Sequence, residues 1–222
     1  MPLVVFDLDG TLVDSSRDLA DAGNATLATY DRAPLPAADV VAMVGDGARE
    51  LVRRLLTAAS LDVSLDEALE RFLGCYDERL LATTRPYDGV ISTLEALKET
   101  TRFAVLTNKP EAASRRLLEG LELAQYFCDV IGGDSPYGRK PDPRGLFALL
   151  GRYDVPTGEA LMVGDSMNDL LVAEAAAVPM CFARYGFGYQ QVLEPDRMRA
   201  AHTIDAPEEL LELFATGDRQ GF

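Results

Sequence analysis

The chain has 222 residues, 48% of them hydrophobic and 26% charged. That is an ordinary globular composition, with length enough for one or two domains and a full core without disulfides or a structural metal. Its 36 acidic residues outnumber 21 basic ones, for a formal net charge of −15, and such a surface repels nucleic acid and anionic membranes. Three widely spaced cysteines at 75, 128 and 181 and one histidine, His202, argue against a disulfide framework, a zinc site or a histidine-centred triad. Each cysteine reads as buried filler in an apolar stretch, in a reducing compartment.

Leu3-Val4-Val5-Phe6 is a continuous apolar run closed by Asp7 and Gly10, the pattern of a buried parallel strand. No basic leader precedes it, and no run approaches the length of a membrane span, so a cytoplasmic protein is expected. Asp14-Ser15 suits the capped start of a helix. From 15 to 83 no strand run occurs, and helices are expected near 16–30, 37–59 and 65–81. Leu51, Val52, Leu55, Leu56 and Ala59 share one face of the second, and Ser64 precedes the third. Tyr87-Asp88-Gly89 gives a turn and hinge.

Beyond the hinge, strand runs at 103–106, 130–131, 160–163 and 180–183 alternate with helical patterns at 111–124, 144–152 and 168–177. This alternation predicts an α/β fold: a doubly wound, mostly parallel Rossmann-like sheet with an inserted all-helical segment. The predicted division is an α/β core of 1–14 and 84–222 and a helical insertion of 15–83. The last residues, 217–222, are expected to fray.

Ligands of open parallel sheets bind beyond the carboxyl ends of the strands. Those ends carry Asp7, Asp9, Gly10 and Thr11, then Thr107 and Asn108, then Gly164, Asp165, Ser166 and Asp169, with Lys140 in a following loop. Two carboxylates two residues apart on extended backbone face the same side and repel, and Mg²⁺ is the simplest remedy, with Asp165 completing the site. A carboxylate pair beside a cation and a lysine suits phosphoryl transfer. One Asp attacks phosphorus, and the other protonates the leaving oxygen and then deprotonates water. Lys140, held in Lys140-Pro141-Asp142-Pro143, offsets charge on the phosphoryl oxygens. Thr107-Asn108-Lys109-Pro110 precedes a helix, with Pro110 in its first turn and free N–H groups for a phosphate. Ser166-x-x-Asp169 reads as a capping box, giving Asp169 a supporting rather than a ligating place.

These residues carry a resemblance. Asp7-Leu8-Asp9-Gly10-Thr11-Leu12-Val13-Asp14-Ser15, Leu106-Thr107-Asn108, Arg139-Lys140-Pro141 and Gly164-Asp165-Ser166-Met167-Asn168-Asp169 resemble, in order, the four motifs of haloacid dehalogenase-like hydrolases. The resemblance implies Asp7 as nucleophile and Mg²⁺ ligand, and Asp9 as general acid/base that binds Mg²⁺ through its backbone carbonyl. It implies Thr107 and Lys140 as phosphate ligands, Asp165 as a further metal ligand, and 15–83 as a cap closing over the substrate. Dehalogenases of the superfamily lack the acid at Asp9, and phosphonatases use a cap lysine, which 15–83 does not contain.

Within the superfamily, Val44-Gly45-Asp46-Gly47-Ala48, Thr107-Asn108-Lys109-Pro110 and Val130-Ile131-Gly132-Gly133-Asp134 are most similar to phosphoglycolate phosphatases. The family often has Asn where this chain has Asp46. In the cap loop, Gly45 allows close backbone approach. Arg49 is a candidate for a substrate carboxylate, or else joins Arg53 and Arg54 on a solvated face. The expected activity is Mg²⁺-dependent hydrolysis of a small phosphorylated metabolite, 2-phosphoglycolate first, by a monomer or homodimer with no nucleic-acid or membrane partner. Alternatives are a broad sugar-phosphate phosphatase, a phosphomutase, and a phosphate-binding regulatory module without turnover.

Overall fold

The structure is a computed structural model that describes residues 1–189 and 201–215; the expected fraying of 217–222 lies outside them. The chain opens with β1 (Leu3–Phe6) and the short β2 (Val13–Asp14). Four helices follow: α1 (Ser16–Ala28), α2 (Ala37–Val41), α3 (Ala48–Ala58) and α4 (Leu65–Asp77). β3 (Arg85–Pro86) then pairs antiparallel with β2, Asp14 opposite Arg85. The inserted helices thus leave and rejoin the sheet through a two-stranded ribbon. The rest alternates: α5 (Val90–Leu97), β4 (Arg102–Leu106), α6 (Glu111–Gly120), β5 (Phe127–Ile131), α7 (Arg144–Tyr153), β6 (Ala160–Gly164), α8 (Met167–Ala176) and β7 (Met180–Ala183). After the undescribed stretch come β8 (His202–Ile204) and α9 (Leu210–Ala215).

Six strands form one parallel sheet in the order β5-β4-β1-β6-β7-β8, which establishes the doubly wound α/β fold. All four residues of β1 are buried, because helices cover both faces of the sheet. Val4 and Phe6 join one core with Phe103, Leu117 and Leu161, whereas Leu3 and Val5 join another with Leu106, Leu146 and Leu170. This is the two-residue period of a strand sorting side chains to opposite sides. In register, Phe6 lies opposite both Val105 and Val163. The three central strands therefore end together, and successive strands run outward from β1 in both directions, the topological switch that opens a crevice at the carboxyl edge.

The helix expected over 37–59 is two helices, α2 and α3, separated by the loop through 42–47. Gly45 (φ 124°) and Gly47 (φ 88°) take left-handed backbone that an α-helix does not admit. Ser64 does cap α4, accepting the Glu67 N–H at 3.4 Å. The ribbon, α5, β8 and α9 lie outside the predicted elements. The reading of all three cysteines as buried filler is corrected: Cys181 is buried, Cys75 half-buried and Cys128 exposed, because β5 is an edge strand. No described helix is long and apolar enough to cross a membrane.

Candidate active site

Asp7 is the first residue beyond β1. Its N–H extends the ladder to the Val163 carbonyl at 2.9 Å, and its Oδ1 accepts the Leu8 N–H at 2.7 Å. Lys140 Nζ lies 2.8 Å from Asp7 Oδ1 and 2.6 Å from Asp169 Oδ1, with its side chain 1% exposed. Asp169 Oδ2 accepts the Ser166 N–H at 3.0 Å and hydroxyl at 2.7 Å, so the expected capping box of α8 is present. One carboxylate therefore starts a helix and holds the lysine that holds Asp7. Asp165, just beyond β6, accepts the Gly188 N–H at 2.7 Å and the Thr11 hydroxyl at 3.4 Å.

Oxygens of Asp7, Asp165 and Asp169 lie within 4.8 Å of one another, all buried. Burial pushes the Asp7 carboxyl up to about 6 against the opposing charge of Lys140. Burial, then the charges of Asp7 and Asp169, push Asp165 well above the usual carboxylate range. Three buried carboxylates facing one ammonium leave an excess of negative charge, and hard oxygen donors are the chemistry of a divalent cation. Asp169 is taken up by Lys140 and by the start of α8, whereas Asp7 and Asp165 line the cavity, so these two are the carboxylates placed to hold one. Gly10 (φ 88°) makes the arrangement possible: a Cβ there would lie 2.0 Å from Asp165 Oδ2.

Asp9 lies two residues on. Its Oδ1 accepts the Ser15 hydroxyl at 2.6 Å, and Lys109 Nζ contacts Oδ1 at 3.0 Å and Oδ2 at 2.9 Å. Ser15 occupies the N-cap position of α1 without a side-chain cap. Asp14 takes over that task by accepting the Ser16 N–H at 3.0 Å, so the expected capping pair divides its work. Lys109 Nζ also donates to Tyr76 Oη at 2.5 Å and lies 4.4 Å from the Tyr76 ring centre. Burial lowers its proton affinity, but Asp9 and Tyr76 outweigh that and hold it above the ordinary lysine value.

Thr107 follows β4, its N–H bonded to the Ile131 carbonyl at 3.0 Å and its Oγ1 accepting the Lys109 N–H at 3.3 Å. Pro110 is the N-cap of α6, one position before the first turn expected for it. The Glu111 N–H is already bonded to Asp134 Oδ1 at 2.8 Å, so that helix N–H is not open to a phosphate. Asn108 Nδ2 donates to the Gly45 carbonyl at 2.9 Å and the Lys140 carbonyl at 3.0 Å, and its Oδ1 is buried without a partner. With Asn168 on Asp46 Oδ1 at 2.7 Å and Arg139 on the Asp46 carbonyl at 3.3 Å, three sheet-side residues grip the loop between α2 and α3.

Asp7, Asp9, Gly45, Thr107, Asn108 and Asp165 line one cavity of about 400 Å³. Lys140 and Asp169 stand in contact with Asp7. Arg49 does not line this cavity: its guanidinium pairs with Asp66 at 2.6 Å on an exposed surface. Arg54 lines it instead, tied to Asp46, to Glu50 at 3.2 Å and to the Met43 carbonyl at 3.0 Å. Ser15, Tyr76, Lys109 and Asn168 join the site beyond the residues predicted for it. A signal for Lys109 was available, since a lysine next to the positive end of a helix is badly placed unless a carboxylate meets it.

A parallel sheet that gathers paired aspartates, a hydroxyl and a buried lysine at its strand ends defines a hydrolase of phosphoric monoesters. The chain belongs to the haloacid dehalogenase-like hydrolases, whose family model matches residues 1–177. It is 47% identical over 197 residues to the phosphoglycolate phosphatase of Rhodospirillum rubrum, covering 85% of this chain and 82% of that one. It is 39% identical over 203 residues to the phosphoglycolate phosphatase of Agrobacterium fabrum, covering 88% and 86%. A crystal structure from Haemophilus somnus, described as a predicted phosphoglycolate phosphatase, superposes with a TM-score of 0.90 at 29% identity over 96% of this chain and 98% of that one.

Proposed function

We propose that this protein hydrolyses 2-phosphoglycolate to glycolate and phosphate in a Mg²⁺-dependent reaction through an aspartyl-phosphate at Asp7. The observation that carries the reading is Asp7 held by Lys140 within one buried cluster with Asp165; the named relatives supply the substrate. Asp7 and Asp165 would hold Mg²⁺ by their carboxylates and Asp9 by its backbone carbonyl. When bound, the ion would offset phosphoryl charge that otherwise repels Asp7. A carboxylate oxygen of Asp7 forms the new bond to phosphorus while the bond to the ester oxygen breaks, and Asp9 gives that oxygen its proton. Asp9 then takes a proton from water as the water attacks phosphorus and the Asp7–phosphorus bond breaks. Thr107 and Lys140 bind the phosphoryl oxygens, and Asn108, with its Nδ2 on the Gly45 and Lys140 carbonyls, ties the Lys140 loop to the α2–α3 loop beside them. Helices α1–α4 serve as the cap, with the gripped Gly45–Asp46 loop as its contact with the sheet. Three unpaired thiols suit a reducing cytoplasm.

The test is phosphate release from 2-phosphoglycolate with and without Mg²⁺, in the unmodified protein and in Asp7→Asn. Release should require Mg²⁺ and fall below detection in the variant, with circular dichroism unchanged. Turnover retained by Asp7→Asn would remove Asp7 as the nucleophile.

A further inference from the structure

Among the 21 basic residues only three are lysines, at 98, 109 and 140, and two of these are buried where Asp7 and Asp9 lie. Lys140 is accounted for by Asp7 and Asp169. Lys109 is buried too, at 6% exposure, and nothing in the two chemical steps uses it. Among the described residues, Lys109 and Arg54 are the cations that line the cavity. Arg54 has its guanidinium committed to Asp46, Glu50 and the Met43 carbonyl. Lys109 is the cation beside the bond to be broken, because its Nζ is one hydrogen bond from Asp9, the group that addresses the ester oxygen.

We propose that Lys109 is the receptor for a substrate carboxylate carried on the same carbon as the phosphoester oxygen, so that the site selects phosphorylated 2-hydroxy acids. In such a molecule the ester oxygen and the carboxylate carbon share one carbon atom, which puts a carboxylate oxygen about 3 Å from the ester oxygen by standard bond lengths. A group that hydrogen-bonds Asp9 while Asp9 addresses the ester oxygen is therefore within reach of that carboxylate. An ammonium has three N–H donors. Asp9 takes Lys109 with both oxygens, and one suffices to keep the pair, so the other donor turns to the substrate. The third donor goes to Tyr76 of α4, so the receptor is assembled from both sides of the cavity and is complete only with α4 in place. A compact ammonium suits this better than a planar guanidinium, which needs two parallel acceptors.

This assignment rests on the phosphatase reading, and the test separates the two. Rates are measured with Mg²⁺ on 2-phosphoglycolate and on ethyl phosphate, which has the same chain length without the carboxylate, for the unmodified protein, Lys109→Met and Lys109→Arg. The unmodified protein should favour 2-phosphoglycolate in kcat/KM by at least tenfold. Lys109→Met should lose about 100-fold on 2-phosphoglycolate and much less on ethyl phosphate, with the loss mainly in KM, so that the ratio falls toward unity. Lys109→Arg, which keeps the charge, should restore part of the ratio. Equal losses on both esters would overturn the assignment and make Lys109 a positioning residue for Asp9. Should the methionine variant not fold, an unmodified protein that hydrolyses both esters equally overturns it as well. Hydrolysis of neither ester would instead refute the phosphatase reading.

Discussion

Asp18 gives the sharpest stability prediction. It lies in the first turn of α1, 1% exposed, and its carboxylate accepts four donors from the strand of chain that returns to the sheet. The Thr83 N–H lies at 2.9 Å and its hydroxyl at 2.6 Å; the Thr84 N–H lies at 2.8 Å and its hydroxyl at 2.7 Å. Burial works against the charged form, but these four bonds outweigh it and hold the carboxyl below the usual range. Asp18→Asn keeps the shape and removes the charge. The amide keeps one acceptor oxygen, so donors facing its nitrogen lose their partner and the others meet a neutral oxygen worth about 1 kcal/mol less; the neutral amide costs less to bury, and the expected loss is about 2–4 kcal/mol. For a chain of this size that lowers Tm by roughly 5–12 °C. The pH dependence has a definite sign. A depressed carboxyl stabilises the fold above its unfolded pKa of about 3.9, and that contribution is lost as pH falls through the lower folded value. The Tm gap between the two proteins, followed by thermal circular dichroism, should therefore be full at pH 7 and narrow toward pH 3. A gap of less than about 2 °C at pH 7, or one that does not change on acidification, would refute the reasoning.

Gly10→Ala places a methyl 2.0 Å from Asp165 Oδ2 on left-handed backbone; phosphate release should fall at least about 100-fold, in line with the loss of a single precisely placed charge-stabilising group, and near-normal rates would show that Asp165 moves freely. Ser15→Ala removes the 2.6 Å bond that orients Asp9. A bond to a charged group near 1.5 kcal/mol corresponds to about a tenfold lower kcat, and a change confined to KM would detach Ser15 from Asp9. Arg49→Ala breaks an exposed pair worth at most about 1 kcal/mol. Its kcat/KM on 2-phosphoglycolate should stay within about twofold, and a tenfold loss would bring Arg49 into the substrate's reach.

What the chain spells out locally is legible without coordinates. An unbroken apolar run stopped by Asp7 fixes β1 as a doubly covered strand, the alternation after residue 100 fixes the parallel sheet, and Ser166-x-x-Asp169 fixes the start of α8. The motif order then narrows the chemistry before any distance is known. Local patterns are silent about partners far along the chain. Asp169 as a cap was readable over three residues, but its bond to Lys140 spans 29. The contacts of Lys109 with Tyr76 and Asp9 span 33 and 100. The split of the expected 37–59 helix turned on two glycines whose dihedrals the apolar stripe of Leu51, Leu55 and Leu56 does not report. That Arg54 and not Arg49 lines the cavity likewise follows from how α3 turns when Leu51, Val52 and Leu55 are buried. Periodicity and punctuation act between near neighbours, and so the sequence alone determined the buried strands of the sheet, the helices between them and the candidate reacting groups, but not the ribbon, α5, β8 or α9. Only the register of β1 against β4 and β6, with four helices folded back over their ends, decided which charges meet.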